Sequence, residues 1–155
     1  MTSRFATSLA VFGAAVALTG WIGGRFTAQG IRAGWYAALA KPDWTPPGWL
    51  IGTVWTILYV CIALASALLW RSEPYPPYAA LLALNLALNA YWCRLFFSER
   101  RPGAAFVEIL VLDATCILLV VLASRRSSVA AGLLAPYAAW VAFASFLNDS
   151  IVRLQ

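Results

Sequence analysis

The chain has 155 residues and a mass of 16.8 kDa; 63% of it is hydrophobic, only 11% is charged, the net charge is +5 and the mean hydropathy is +0.78. A soluble domain carries about 25% charged and 45–50% apolar residues, and a chain this short cannot hide the excess in one small core. Soluble globular, disordered and secreted disulfide-scaffold classes are therefore excluded, which leaves an all-α, multi-pass membrane protein.

Residue types narrow the chemistry further. The chain has no histidine, which removes the commonest metal ligand, general base and axial haem ligand, so no metal site is expected. Cys61, Cys93 and Cys116 lie far apart in apolar stretches with no CxxC pair, and read as small buried hydrophobes. Arg25, Arg71, Arg100, Arg101, Arg125 and Arg126 fall at the ends of apolar runs. That is where headgroup anchors belong, so membrane lipids are the expected partners of the basic charge and nucleic acid is not.

In chain order, apolar runs predict five transmembrane helices, at residues 5–26, 49–70, 78–97, 103–123 and 129–152. Each has about 20–24 residues, or about 30–36 Å of helix, enough to cross a hydrocarbon core of about 30 Å. The first run resembles a signal peptide at its start, but it continues through Trp21 and Ile22 and reads as a retained helix. Residues 27–48 form a long first loop rich in aromatics and proline (Trp35, Tyr36, Pro42, Trp44, Pro46, Pro47), which predicts a packed lid. The other connections are short and force antiparallel neighbours, giving one five-helix bundle, a single domain over residues 1–155. Basic residues weakly favour the long loop and the carboxyl terminus on the cytoplasmic side.

Several constellations carry chemistry. Thr45 and Pro46 predict the N-cap and first turn of the second span, in which Trp55 and Tyr59 share a face. In the third span Asn85, Asn89, Trp92 and Phe96 lie on one face; amides there act either as interhelical ties or as ligand contacts. Ala79, Ala83 and Ala87 form a small-residue stripe, as do Gly20 and Gly24, and either serves a homodimer or packing within one chain. The fourth span carries Glu108 and Asp113, too far round the helix to act as an acid/base pair. Glu108 either captures Arg94 or a loop arginine, or stays protonated. In the fifth span Trp140, Ala144, Leu147 and Asn148 share a face that makes a pocket wall, and Pro136 loosens the helix beside it.

These residues resemble the TspO/MBR family, which includes the translocator protein (the peripheral-type benzodiazepine receptor) and the tryptophan-rich sensory proteins. The resemblance is carried by Trp35-Tyr36, Lys41-Pro42-x-Trp44-x-Pro46-Pro47, Gly52-x-x-Trp55-x-x-Leu58-Tyr59, Leu88-Asn89-x-x-Trp92 with Phe96-Phe97, and Pro136-Tyr137-x-x-Trp140-x-x-Phe143-Ala144-x-x-Leu147-Asn148. It implies a five-helix membrane protein, often a homodimer, whose cavity is closed by the first loop and binds porphyrins and isoquinoline or benzodiazepine-type molecules. By the same resemblance Tyr36, Trp55, Tyr59, Asn85, Asn89, Trp92, Trp140, Ala144 and Leu147 are candidate ligand-binding residues. Trp55 and Trp140 match the tryptophans of a light- and oxygen-dependent porphyrin breakdown, and Glu108 stands where the family has an acid. The implied function is a porphyrin-binding receptor, sensor or transporter, with a porphyrin-degrading enzyme as the alternative and no cofactor required. Asp149 after Asn148 departs from the cholesterol motif, which argues against sterol transport and for a bacterial-type member in the cell membrane. Cys93-Arg94 replaces a proline-containing step, which implies a straighter third helix. Lys41, Arg32 and Arg94 are candidates to pair with porphyrin propionates.

Overall fold

Proline and serine set where most helices begin. In the computed structural model, which describes residues 2–71 and 73–155, six helices appear: α1 (Thr2–Arg32), α2 (Trp35–Ala38), α3 (Gly48–Trp70), α4 (Pro76–Cys93), α5 (Pro102–Ser124) and α6 (Ser128–Leu154). Pro76 and Pro77 open α4 and Pro102 opens α5, in the first turn, where a missing N–H costs nothing. Ser127 caps α6 by accepting a hydrogen bond from the Ala130 amide at 3.2 Å. Five of the helices are long and apolar enough to span a bilayer, and the protein is an all-α multi-pass membrane protein.

The helix limits differ from expectation in three places. Residues 27–32, expected in the loop, extend α1, whose 31 residues make about 46 Å of helix. The cause is close packing. A Cβ built on Gly30 would stand 2.7 Å from the Phe97 carbonyl oxygen, so glycine alone lets α1 pass the end of α4. Second, Thr45 is not the cap of α3. Its hydroxyl and amide both bond to the Pro42 carbonyl, closing a turn, and α3 starts at Gly48 behind Pro47. Third, α4 does not simply run straight. It widens into a π-helical turn over Arg94–Ser98, in which the Glu99 amide bonds to the Arg94 carbonyl at 2.9 Å, and Arg100 ends it in the left-handed region (φ 57°).

The long helices close into a ring in the order α1, α3, α6, α5, α4. One half of the ring is solid. Ile62, Ala65 and Leu69 of α3, Tyr78 and Leu82 of α4, Leu119 of α5 and Leu134 of α6 are all buried there, and the small side chains of α3 let the helices approach closely. Ser66 shares a hydrogen bond with Tyr78 at 2.9 Å across this half. The other half, towards the long loop, is hollow. The Ala79, Ala83, Ala87 stripe runs along the outer side of α4, with Ala83 and Ala87 exposed.

A chain of side-chain hydrogen bonds ties four helices together where the two halves meet. Tyr59 (α3) donates to Asn89 Oδ1 at 2.8 Å; Asn89 (α4) donates to the Tyr137 hydroxyl at 3.4 Å; Tyr137 (α6) donates to Asn85 Oδ1 at 2.8 Å; Asn85 (α4) donates to Thr115 Oγ1 (α5) at 2.9 Å. Asn85 also donates to Cys116 Sγ at 3.3 Å. Asn85→Ala removes three of these contacts and leaves the Tyr137 hydroxyl proton without its acceptor. It should destabilise the bundle by about 1–3 kcal/mol, read as an earlier thermal transition of the purified protein by tryptophan fluorescence; an unchanged transition would deny the ladder its structural role.

Candidate functional site

The hollow half is a cavity of about 1010 Å³ walled by α1, α3, α4 and α6 and closed at one end by the first loop. Of the nine candidate ligand residues, eight line it: Tyr36, Trp55, Tyr59, Asn89, Trp92, Trp140, Ala144 and Leu147. Asn85 does not. It is fully buried on the core side of the same helix face, and its amide is used within the hydrogen-bond ladder.

Three tryptophans give the walls their shape. Trp55 contacts Tyr59 (ring centroids 5.5 Å apart) and meets Tyr137 edge-on at 6.1 Å. Trp92 stacks on Phe96 at 5.0 Å and donates its indole N–H to Asn148 Oδ1 at 3.1 Å. Asn148 in turn donates to the Pro102 carbonyl at 2.9 Å, so the Trp92 ring is held by α6 and the start of α5 together. Trp140 packs against Phe143 at 5.2 Å, and its indole N–H is buried with no hydrogen-bond partner among the described residues. Ala144 and Leu147, one and two turns along from Trp140, leave space in front of its ring. Polar surface is scarce, so the cavity suits a flat apolar body with few polar groups.

The loop is a strap with fixed ends. Gly34 starts α2 in the left-handed region (φ 71°), which glycine adopts without strain. Trp35 meets Phe96 and Phe97 edge-on at 5.4 and 6.4 Å, and Tyr36 contacts Phe97 at 5.5 Å. Lys41 Nζ donates to the carbonyls of Tyr36 (2.6 Å) and Leu39 (2.8 Å) and lies 4.8 Å from the Tyr36 ring. Trp44 stacks on Phe146 at 5.3 Å, and Gln155 donates to the Ala40 carbonyl at 3.1 Å. Burial under this strap pushes the Tyr36 phenol above its ordinary pKa, so it stays neutral at physiological pH.

The charged candidates are placed differently from expectation. Lys41 spends its charge on loop carbonyls, and Arg94 pairs with Glu99 at 2.9 Å; neither is offered to a ligand. Glu108 captures no arginine. It is 8% exposed, and both carboxyl oxygens lack a hydrogen-bond partner among the described residues; it does not line the cavity. Asp113 accepts a hydrogen bond from Ser145 at 2.7 Å, away from the cavity. Sequence reasoning also missed the α1 wall, including Gly20, Thr27 and Ala28, and Ile109 and Leu112 of α5. The side of α1 that turns to the cavity is built largely of small residues (Gly13, Ala17, Gly20, Gly24, Ala28), which carry no chemical mark of a binding face.

Residues 11–154 match the TspO/MBR family. The chain belongs to the TspO/MBR family. It is 39% identical over 143 residues to a tryptophan-rich protein TspO of Archaeoglobus fulgidus, covering 91% of this chain and 92% of the relative. It is 38% identical over 141 residues to a tryptophan-rich protein TspO of Chlorobaculum tepidum, covering 88% of each. It is 37% identical over 139 residues to the human translocator protein, covering 86% of this chain and 81% of the relative. Each of these matches thus extends over most of this chain.

If Lys41 staples the strap, Lys41→Met should loosen residues 35–46 without disturbing the helices. Amide hydrogen exchange of the strap should quicken by about tenfold, corresponding to about 1.4 kcal/mol lost in local opening, while α5 and α6 exchange as in the parent.

Proposed function

We propose that this TspO/MBR protein is a membrane receptor or carrier for tetrapyrroles. The observation that carries the reading is the convergence of Trp55, Trp92 and Trp140 on one apolar cavity of about 1010 Å³, large enough for a broad ring system. Ligand pockets commonly run to about 300–1,000 Å³ and are lined by apolar and aromatic side chains with a few placed polar groups. Here those groups are the Asn89 and Asn148 amides and the Tyr59 hydroxyl. A porphyrin is a flat π-system that aromatic walls take up by stacking and edge contacts. The chain has no histidine to supply the usual haem ligand, so the reading is binding of the ring itself. Isoquinoline and benzodiazepine-type molecules fit the same description and are useful probes.

A second reading is supported by one observation: Trp55 and Trp140 line the same cavity, so two oxidisable indoles would face one bound porphyrin. On this reading illumination and oxygen drive oxidation of the ring, and the two tryptophans take part in the electron transfers.

One experiment separates these. Titration of the purified protein with protoporphyrin IX in the dark should give saturable quenching of tryptophan fluorescence at micromolar concentrations. Trp140→Leu should weaken binding about tenfold. No quenching of the parent protein overturns the receptor reading. Under illumination in air, loss of the Soret band in the parent but not in Trp55→Phe or Trp140→Phe supports the degrading enzyme; a band that persists in the parent rules it out.

A further inference from the structure

The cavity is not sealed along the bundle. Between α1 and α3 its lining includes residues with exposed surface: Ala17 and Gly24 on α1, Gly52 and Thr56 on α3. A Cβ built on Gly24 or Gly52 would meet no atom within 4 Å, so the seam is open at both glycines rather than closed by packing. This opening lies along the flanks of two membrane-spanning helices, below the strap, and so faces the lipid.

The rim of the seam is positively charged. A shallow groove on the outer flank of α1, lined by Trp21, Arg25, Gln29 and Arg32, shares Gly20, Gly24 and Ala28 with the cavity. Arg25 and Arg32 are seven residues apart, on one face, about 10 Å along the axis. Arg25 lies over the Trp21 ring at 5.0 Å, and neither arginine has an ion pair among the described residues. α1 contains no aspartate or glutamate to neutralise them. The guanidinium fork matches a carboxylate in geometry and charge, and the arginine stem can lie along apolar surface while its head reaches the headgroup layer.

We propose that the cavity is loaded from within the bilayer through the α1–α3 seam, with Arg25 and Arg32 holding the carboxylates of a flat anionic amphiphile while its ring passes Gly24 and Gly52. This rests on the tetrapyrrole reading above and adds the route and the anchor. The acidic groups stay at the rim, in reach of water, and only the apolar ring enters the polar-poor interior. No carboxylate has to be carried into the cavity, where no free cation awaits it.

The test uses the full chain in nanodiscs of zwitterionic lipid, with protoporphyrin IX or its dimethyl ester delivered in the dark from preloaded vesicles and tryptophan quenching followed by stopped flow. Gly24→Phe and Gly52→Phe fill the seam at positions with open space. Each should slow both association and dissociation by about tenfold, since a blocked route lowers both rates, whereas damage to the binding walls would quicken dissociation. Gly24→Cys, labelled with a bulky maleimide after folding, should give the same block without requiring the chain to fold around the bulk. Parent-like rates in the seam-filled proteins overturn the route. The double variant Arg25→Gln with Arg32→Gln should bind the diacid about tenfold more weakly and the dimethyl ester as the parent does; equal loss for both, or loss for neither, overturns the anchor. If adding an anionic phospholipid to the nanodisc abolishes the arginine effect, the rim belongs to lipid headgroups and the anchor is overturned. A seam-filled protein that changes oligomeric state while keeping its rates assigns the seam to a second copy and overturns the route. Absence of quenching in the parent overturns the tetrapyrrole reading, whereas quenching with unaffected variants overturns only this inference.

Discussion

The hydrogen-bond ladder from Tyr59 through Asn89, Tyr137 and Asn85 to Thr115 is the constraint around which this bundle is arranged. Lipid offers these groups no alternative partner, so each buried amide and hydroxyl must meet another helix or remain unsatisfied. Individual interhelical hydrogen bonds in membranes average about 0.6 kcal/mol, so the ladder matters less for its sum than for its registration. Each member has a fixed donor and acceptor role, and sliding one helix along another by a turn breaks several bonds at once. The ladder therefore fixes the heights of α3, α4, α5 and α6 relative to one another. It also places Asn89 and Tyr59 with one side towards the cavity and the other committed to the frame.

That frame explains why the molecule can hold a cavity at all. Apolar association is weak in lipid, because the tails are as apolar as the side chains, so close packing must come from small residues. α3 divides along its length: Ala63, Ala65, Ser66 and Ala67 are buried in the solid half, whereas Trp55 and Tyr59 hold the neighbouring helices apart in the other. The strap then covers the hollow end. It is anchored on α4 through Phe96 and Phe97 and on α6 through Phe143 and Phe146, so it depends on the widened turn at residues 94–98 that turns two adjacent phenylalanines to serve loop and cavity together.

Much of this was legible in the sequence, and the remainder has identifiable physical causes. Helix number followed from run length and bilayer thickness. Trp35 and Trp44 of the expected lid hold the strap, and Trp55, Trp92 and Trp140 line one cavity, while Trp21 and Trp49 are exposed. Asn85 and Asn89 could not be told apart, because a spacing of four puts both on one face; depth along the helix decides which meets the core and which the cavity. The π-helical turn has no residue marker, since any side chain tolerates the wider bond pattern. The extension of α1 depended on the contact of Gly30 with Phe97, which is remote in sequence and invisible to local propensity. Lys41 and Arg94 looked available because their partners, two loop carbonyls and Glu99, are chosen by the folded loop and turn rather than by spacing.

α1 stands apart from the frame in a way that bears on the cavity. The ladder leaves it out; near the strap end Ser98 donates to Gln29 at 2.9 Å and ties it to the end of α4. It also packs through glycine (Gly20 against the Tyr59 ring, Gly23 against Cys93, Gly30 against Phe97), with Phe12 edge-on to Trp70 at 5.7 Å and Val16 buried in the core. Only 17% of its most apolar stretch is buried, compared with 28% for α6 and 33–39% for the other three. Glycine contacts allow close approach but give little area and no directional bond, so they resist separation weakly. The frame of four helices thus fixes the register of the site, while the fifth forms a wall outside the hydrogen-bond ladder. With three walls of the cavity tied by the ladder and its end closed by a stapled strap, the edges of α1 are the borders that no ladder bond crosses, and the seam proposed above runs along one of them.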